Sequence, residues 1–233
     1  MILWSAPRCR STAFLRMMVE RGDFLVLHEP FSHLVDFGVA DVCGAQLRSE
    51  PELIRTLLEL GGRRPVFLKD TTDFHYPGVL VADRLLREAT HTFMIRDPAA
   101  AIESHYRLNP NLGRDEIGFA WLYEIFDAVR RATGAAPLVL DGDDLVRAPH
   151  ELVEAYCARV GIPFVAEALS WEPTMLPAWQ RTGRWHTTVS ASGGIADVAQ
   201  ESELDVAAHP VLGEFLRFHQ PYYDELYALR LRN

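Results

Sequence analysis

Short apolar runs alternate along the chain with longer segments whose apolar residues recur every three or four positions. Residues 2–5 read as a buried strand and 6–10 as a polar loop. From Ser11 to Arg21 the apolar positions Phe14, Leu15 and Met18 keep helical spacing, and Gly22 marks the end. Residues 24–28 form a second apolar run, stopped by Glu29 and Pro30. Residues 51–60 open with proline and close on Gly61 and Gly62, the marks of a helix. Further strands are expected over 65–69, 91–95 and 138–140. Further helices are expected over 79–88, 117–131 and 149–160, the last closed by Gly161. Asp97 and Pro98 read as the cap and first position of another helix. Residues 171–197 carry proline and glycine breaks and read as a long loop region. Helical spacing returns over 204–229, interrupted by Pro210 and Pro221.

Strands alternating with helices predict the α/β class, with a short central parallel sheet covered by helices on both faces. No repeat or linker divides residues 1–233, so one domain is expected. Ligands of such sheets bind at the carboxyl ends of strands, which directs attention to the loops after the first four. Hydrophobic residues make up 48% and charged residues 24%, a globular balance, and no apolar run reaches bilayer length. The net charge of −9 argues against a nucleic-acid or anionic-membrane surface, so any anionic ligand must be met by locally gathered cations. Cys9, Cys43 and Cys157 are far apart and give neither a disulfide framework nor a metal spacing, which favours the cytoplasm. Arg8 and Arg10 cut the first apolar segment short, so no leader is expected. The nine histidines show no paired ligand spacing, and no metal is expected to be required.

The loop Pro7-Arg8-Cys9-Arg10-Ser11-Thr12 joins the first strand to the first helix. A helix N-terminus offers unpaired N–H groups and partial positive charge, Arg8 and Arg10 add cations, and Ser11 and Thr12 add hydroxyls. The plain alternative is a helix capped by Ser11 beside two surface arginines. The lack of glycine and lysine argues against a nucleoside-triphosphatase loop. A cysteine phosphatase needs an arginine six positions after its cysteine, where this chain has Leu15. The loop resembles the 5′-phosphosulfate loop of sulfotransferases that use 3′-phosphoadenosine 5′-phosphosulfate (PAPS), typically Pro-Lys/Arg-Ser-Gly-Thr/Ser-Thr. Arg8 falls on that family's catalytic cation, and Ser11 and Thr12 fall on its hydroxyl pair. Cys9 and Arg10 depart from its serine and glycine.

The same resemblance extends to the 3′-phosphate anchor, an arginine at a strand end and a serine eight residues later. Arg96 and Ser104 have that separation, across an Asp-Pro helix start. Gln180-Arg181-Thr182-Gly183-Arg184-Trp185 resembles the late glycine-containing loop that closes over the nucleotide. It offers Arg181 first and Arg184 second. The resemblance implies a P-loop-like fold and transfer of a sulfonate from PAPS to a hydroxyl of a small molecule. The rivals are another phosphate-loop transferase or kinase, and a non-catalytic nucleotide-binding module.

The acceptor hydroxyl needs a base. Where cytosolic relatives carry a histidine after the third strand, this chain reads Lys69-Asp70-Thr71. Sulfotransferases that use a glutamate place it just after the second strand, where Glu29 stands. Burial beside Pro30 is expected to raise its pKa toward that of a useful base. Asp70 and His75 are the other candidates, and Lys69 is expected to steady the leaving-group oxygen. His28 is expected to point to the opposite side of its strand from Glu29. Aromatic residues in 31–37, 74–76 and 171–185 are candidates to line an acceptor pocket.

Overall fold

The computed structural model describes residues 1–196 and 204–232. Its elements run β1 (Ile2–Ser5), α1 (Ser11–Arg21), β2 (Leu25–His28), α2 (Pro30–Phe37), β3 (Ala40–Val42), β4 (Ala45–Leu47), α3 (Glu50–Gly61) and β5 (Val66–Thr71). Then follow α4 (Pro77–Leu80), α5 (Asp83–Glu88), β6 (His91–Ile95), α6 (Pro98–Tyr106), α7 (Phe119–Thr133), β7 (Leu138–Asp141), α8 (Gly142–Arg147), α9 (Pro149–Val160), α10 (Thr187–Ser190) and α11 (Leu212–Ala228). The main sheet has the order β2-β5-β1-β6-β7, with every neighbouring pair parallel. This is the α/β architecture expected. β1 lies at the centre, so the loop leaving its carboxyl end emerges between the ends of β5 and β6.

The register sorts the two faces. Trp4, Asp70 and Phe93 pair across three strands and therefore share one side, where Trp4 meets Phe31 and Tyr76, and Phe93 meets Phe126 of α7. Phe67 and Lys69 alternate to the other side, where Phe67 meets Phe14 of α1, which in turn packs edge-on against Tyr156 of α9.

Several boundaries differ from expectation. β5 runs on to Thr71, which places Asp70 in a strand and not in a loop. The helix expected over 79–88 is two short ones, α4 and α5. The helix expected from residue 117 starts at Phe119, because Gly118 at φ 83° ends a 3-10 turn first. Pro221 sits inside α11 without breaking it, and α11 begins only at Leu212. The loop region expected over 171–197 holds a 3-10 segment, Pro177–Trp185, and α10; its last residue, Asp197, lies outside the described residues. No helix among the described residues is long and apolar enough to cross a membrane.

Candidate active site

The carboxyl edge of the sheet opens into a cleft lined by residues of the β1 loop, the ends of β2, β5 and β6, α6 and the 177–189 segment. Its floor is the loop 7–10, which takes an unusual course. Arg8 and Arg10 both have left-handed backbones, at φ 64° and 68°, and Arg10 is the N-cap of α1. That conformation costs a side-chain-bearing residue roughly 1–2 kcal/mol. It explains why glycine is usual where Arg10 stands. Two glycines pin the loop from behind. A Cβ on Gly142 would come within 2.5 Å of the Cys9 carbonyl, and one on Gly118 within 2.7 Å of Pro7 Cδ. The Cys9 side chain is fully buried, with Sγ 3.6 Å from the Pro7 carbonyl, and burial pushes its thiol pKa up. It faces the core, so at this position only the backbone is left to meet a ligand.

Four arginines converge on this end. Arg8 Nε donates to Ser104 Oγ at 3.1 Å and its Nη1 to the Trp185 carbonyl at 3.0 Å. Burial first, then the neighbouring Arg96, lower its pKa from the ordinary arginine value. Arg10 and Arg96 both donate through Nε to one oxygen, Asp143 Oδ1, at 3.0 and 3.1 Å. Arg10 Nη2 also lies 3.0 Å from that oxygen, so the one carboxylate sets the direction of both guanidinium groups. Arg184 lines the cleft and lies over the Trp185 ring, 4.5 Å from its centroid. Ser11, Thr12 and Ser104 complete this end. Arg181, the first choice from sequence, instead stacks on Phe37 at 3.7 Å and does not line the cleft. Of the two arginines, Arg184 is therefore the one that lines the cleft.

At the other end stand Glu29 and Lys69. Glu29 takes a left-handed backbone, φ 48°, as the N-cap of α2, so the chain turns sharply out of β2. Its carboxylate pairs with the buried Lys69 ammonium. The turn brings His28 round to the same side, with Nε2 3.4 Å from Glu29 Oε2, contrary to simple strand alternation. Burial alone would raise the Glu29 pKa, but His28 and Lys69 outweigh it and hold the carboxyl well below the usual range. The expected upward shift is thus reversed.

The alternative bases sit elsewhere. Asp70 is fully buried beneath the start of α2, accepting from Phe31 N at 2.7 Å, Ser32 N at 3.1 Å and Ser32 Oγ at 2.6 Å. It caps a helix and does not line the cleft. His75 is exposed, bonded to Glu124 at 2.8 Å and in tilted ring contact with Trp121. Sequence reasoning missed Asp73, which lines the cleft and whose buried Oδ1 has no partner. Burial, then Glu29, push its pKa up to about 7. Asp143, Asp36, His105, His186 and Ser32 were missed as well; only the Asp-rich run after β7 hinted at Asp143. Of the aromatic candidates, Phe74 and Trp185 line the cleft, whereas Phe31 and Trp179 belong to the buried interior.

A sulfotransferase domain model matches residues 1–228. The chain belongs to the sulfotransferase family. This sulfotransferase also resembles two solved structures in fold: a sulfotransferase domain from the curacin biosynthetic pathway (14% identical, TM-score 0.53, covering 97% of each chain) and a sulfotransferase from Alicyclobacillus acidocaldarius (16% identical, TM-score 0.53, covering 100% of this chain and 96% of that one). Two curated relatives from Arabidopsis thaliana, branched-chain-amino-acid aminotransferase-like proteins 2 and 1, are 28% and 26% identical over 83% of this chain. The sulfotransferase spans only 35% and 36% of their lengths.

Proposed function

We propose that this sulfotransferase moves a sulfonate from PAPS to a hydroxyl of a small molecule. The observation that carries the proposal is one cleft with four arginines at one end and a Glu29–Lys69 pair at the other. In this reading the loop N–H groups, Arg8, Ser11 and Thr12 take the 5′-phosphosulfate. Arg96 and Ser104 take the 3′-phosphate, with Arg10 beside Arg96, and Arg184 closes the site.

The acceptor oxygen attacks sulfur, and the bond from sulfur to the bridging oxygen of the 5′-phosphate breaks. The acceptor proton passes to Glu29. Arg8 and Lys69 neutralise the charge that gathers on the departing phosphate oxygen. Lys69 cannot serve Glu29 and the phosphosulfate equally. As the donor draws the Lys69 ammonium toward its own oxygens, Glu29 loses one of the partners that depress its pKa, and burial then counts for more toward its protonation. The donor thereby activates the base. In this reading Asp73, which lines the same cleft and has a raised pKa, contacts the acceptor.

The test is acceptor-dependent release of 3′,5′-adenosine bisphosphate from PAPS, across alcohols, phenols and glycans, with EDTA present. Turnover in EDTA with some acceptor supports the proposal. Turnover only with a nucleoside triphosphate and magnesium identifies a kinase, and tight nucleotide binding without turnover identifies a binding module.

A further inference from the structure

Beside Glu29 lie two histidines that the proposed sulfonate transfer does not use. His28 ends β2, Glu29 caps α2, and His33 follows one turn into that helix. One ligating atom from each of the three lies within 4.8 Å of the others. His28 Nε2 and Glu29 Oε2 are 3.4 Å apart. Neighbouring ligands on a tetrahedral zinc ion, with bonds of about 2.0–2.2 Å, stand roughly that far apart. Both ring nitrogens of His28, and Nε2 of His33, are buried without any hydrogen-bond partner. The His28 side chain is only 2% exposed. Buried imidazoles with no partner are costly, and an unpaired buried polar group calls for an explanation such as a bound ion.

The surroundings fix what kind of ion site this is. Lys69 occupies Glu29 Oε1, which leaves Oε2 on the His28 side. The nearby ammonium repels a dication and weakens its binding. Three protein ligands leave a fourth position open, as in sites that exchange their metal or bind a solvent molecule. Two imidazoles and a carboxylate suit zinc and its neighbours better than magnesium or calcium.

We propose that His28, Glu29 and His33 form a reversible divalent transition-metal site, and that zinc bound there inhibits the enzyme by occupying Glu29 Oε2. The inhibitory half rests on the reading of Glu29 as the base; the binding half does not.

The experiment uses the full chain without an affinity tag. Cobalt(II) alone is titrated and visible d–d absorption recorded, then zinc is titrated calorimetrically. The expected result is one equivalent of cobalt(II) giving a low-symmetry band that His33→Gln abolishes. His33→Cys should retain the band and add a sulfur-to-cobalt charge-transfer feature. His33→Gln should weaken zinc binding by at least about 100-fold, the upper end of what loss of even an outer partner costs. His33 is only partly buried, so the variant is expected to fold, and circular dichroism checks it. Turnover without metal should be unchanged in His33→Gln, and its inhibition by zinc should be relieved. No band at one equivalent, or equal zinc affinity in wild type and His33→Gln, overturns the site. Zinc binding that leaves turnover intact overturns the inhibitory half.

Discussion

At the arginine end of the cleft, Arg8 and Arg10 come from the β1–α1 loop, Arg96 and Ser104 from β6–α6, and Arg184 from the Pro177–Trp185 segment. At the Glu29 end the side chains come from three places: the β2–α2 turn, β5 and the stretch after it. Within each of the strand-to-helix units β1–α1 and β6–α6 the spacing is short, and hydrogen bonds from Arg8 to Ser104 and from Arg10 and Arg96 to Asp143 tie the units together. The Glu29 end depends on a left-handed residue at 29 that swings two side chains together. The difference teaches that the pairs Arg8–Arg10 and Arg96–Ser104 are set by short spacings, whereas the meeting of His28, Glu29 and Lys69 is set by a backbone turn and a strand pairing. The arginine end is expected to govern nucleotide affinity and the Glu29 end to govern turnover.

The sharpest way to break that division is Glu29→Gln, which keeps size and hydrogen bonding but cannot accept a proton. It should lower kcat by roughly 10²–10⁴ and leave PAPS binding nearly intact. Near-normal turnover, with Asp70→Asn or His75→Ala inactive, would move the base to the end of β5 or the stretch after it. Arg8 is the residue expected to belong to both ends. Arg8→Ala should cost about 10²–10³ in kcat, more than it costs in binding. Weakened binding with kcat unchanged would make Arg8 an anchor alone.

Acid stability separates the cleft from the rest of the core. His91 accepts from Trp4 Nε1 at 3.0 Å through Nδ1, and its Nε2 lies 2.9 Å from the Leu85 carbonyl, so it is built to be neutral. Burial lowers its pKa to about 4. A lowered histidine pKa stabilises the fold fully above the ordinary value near 6.5, and that contribution is lost as pH falls from there to about 4. The loss should be roughly 2–4 kcal/mol, seen as a falling Tm. His91→Gln should flatten that part of the curve without altering nucleotide affinity at neutral pH. An unchanged slope would assign the acid sensitivity to other histidines. The smallest effect is expected at Cys9. Its thiol is buried and held neutral, so Cys43, which is exposed, should be the first thiol alkylated in the native protein. Cys9→Ser should leave turnover little changed; a large loss would give the thiol a role at the arginine end.

The same contrast explains what could be read from the chain. β1, α1, β6 and α9 have the boundaries expected, because apolar runs there are bracketed by Gly22, Asp97-Pro98 or Gly161. Arg96 and Ser104 were legible as a fixed separation across a capped helix. α2 was not, because Glu29-Pro30 reads as a stop, yet proline is at home in a first helical turn. Without α2, neither the buried cap at Asp70 nor the approach of His28 to Glu29 could be foreseen. The β3–β4 hairpin is too short for its alternation to register. The order of Arg181 and Arg184 depends on which ring each stacks against, Phe37 or Trp185, which spacing does not encode.

The central claim is that the arginine end is a site for a 3′-phosphorylated adenylate, and calorimetry on the wild-type chain tests it most directly. 3′,5′-Adenosine bisphosphate should bind much more tightly than 5′-adenosine monophosphate. Arg96→Ala should erase most of the difference, about 1.5–3 kcal/mol for a charge-assisted contact. Equal affinity for the two nucleotides would contradict the account.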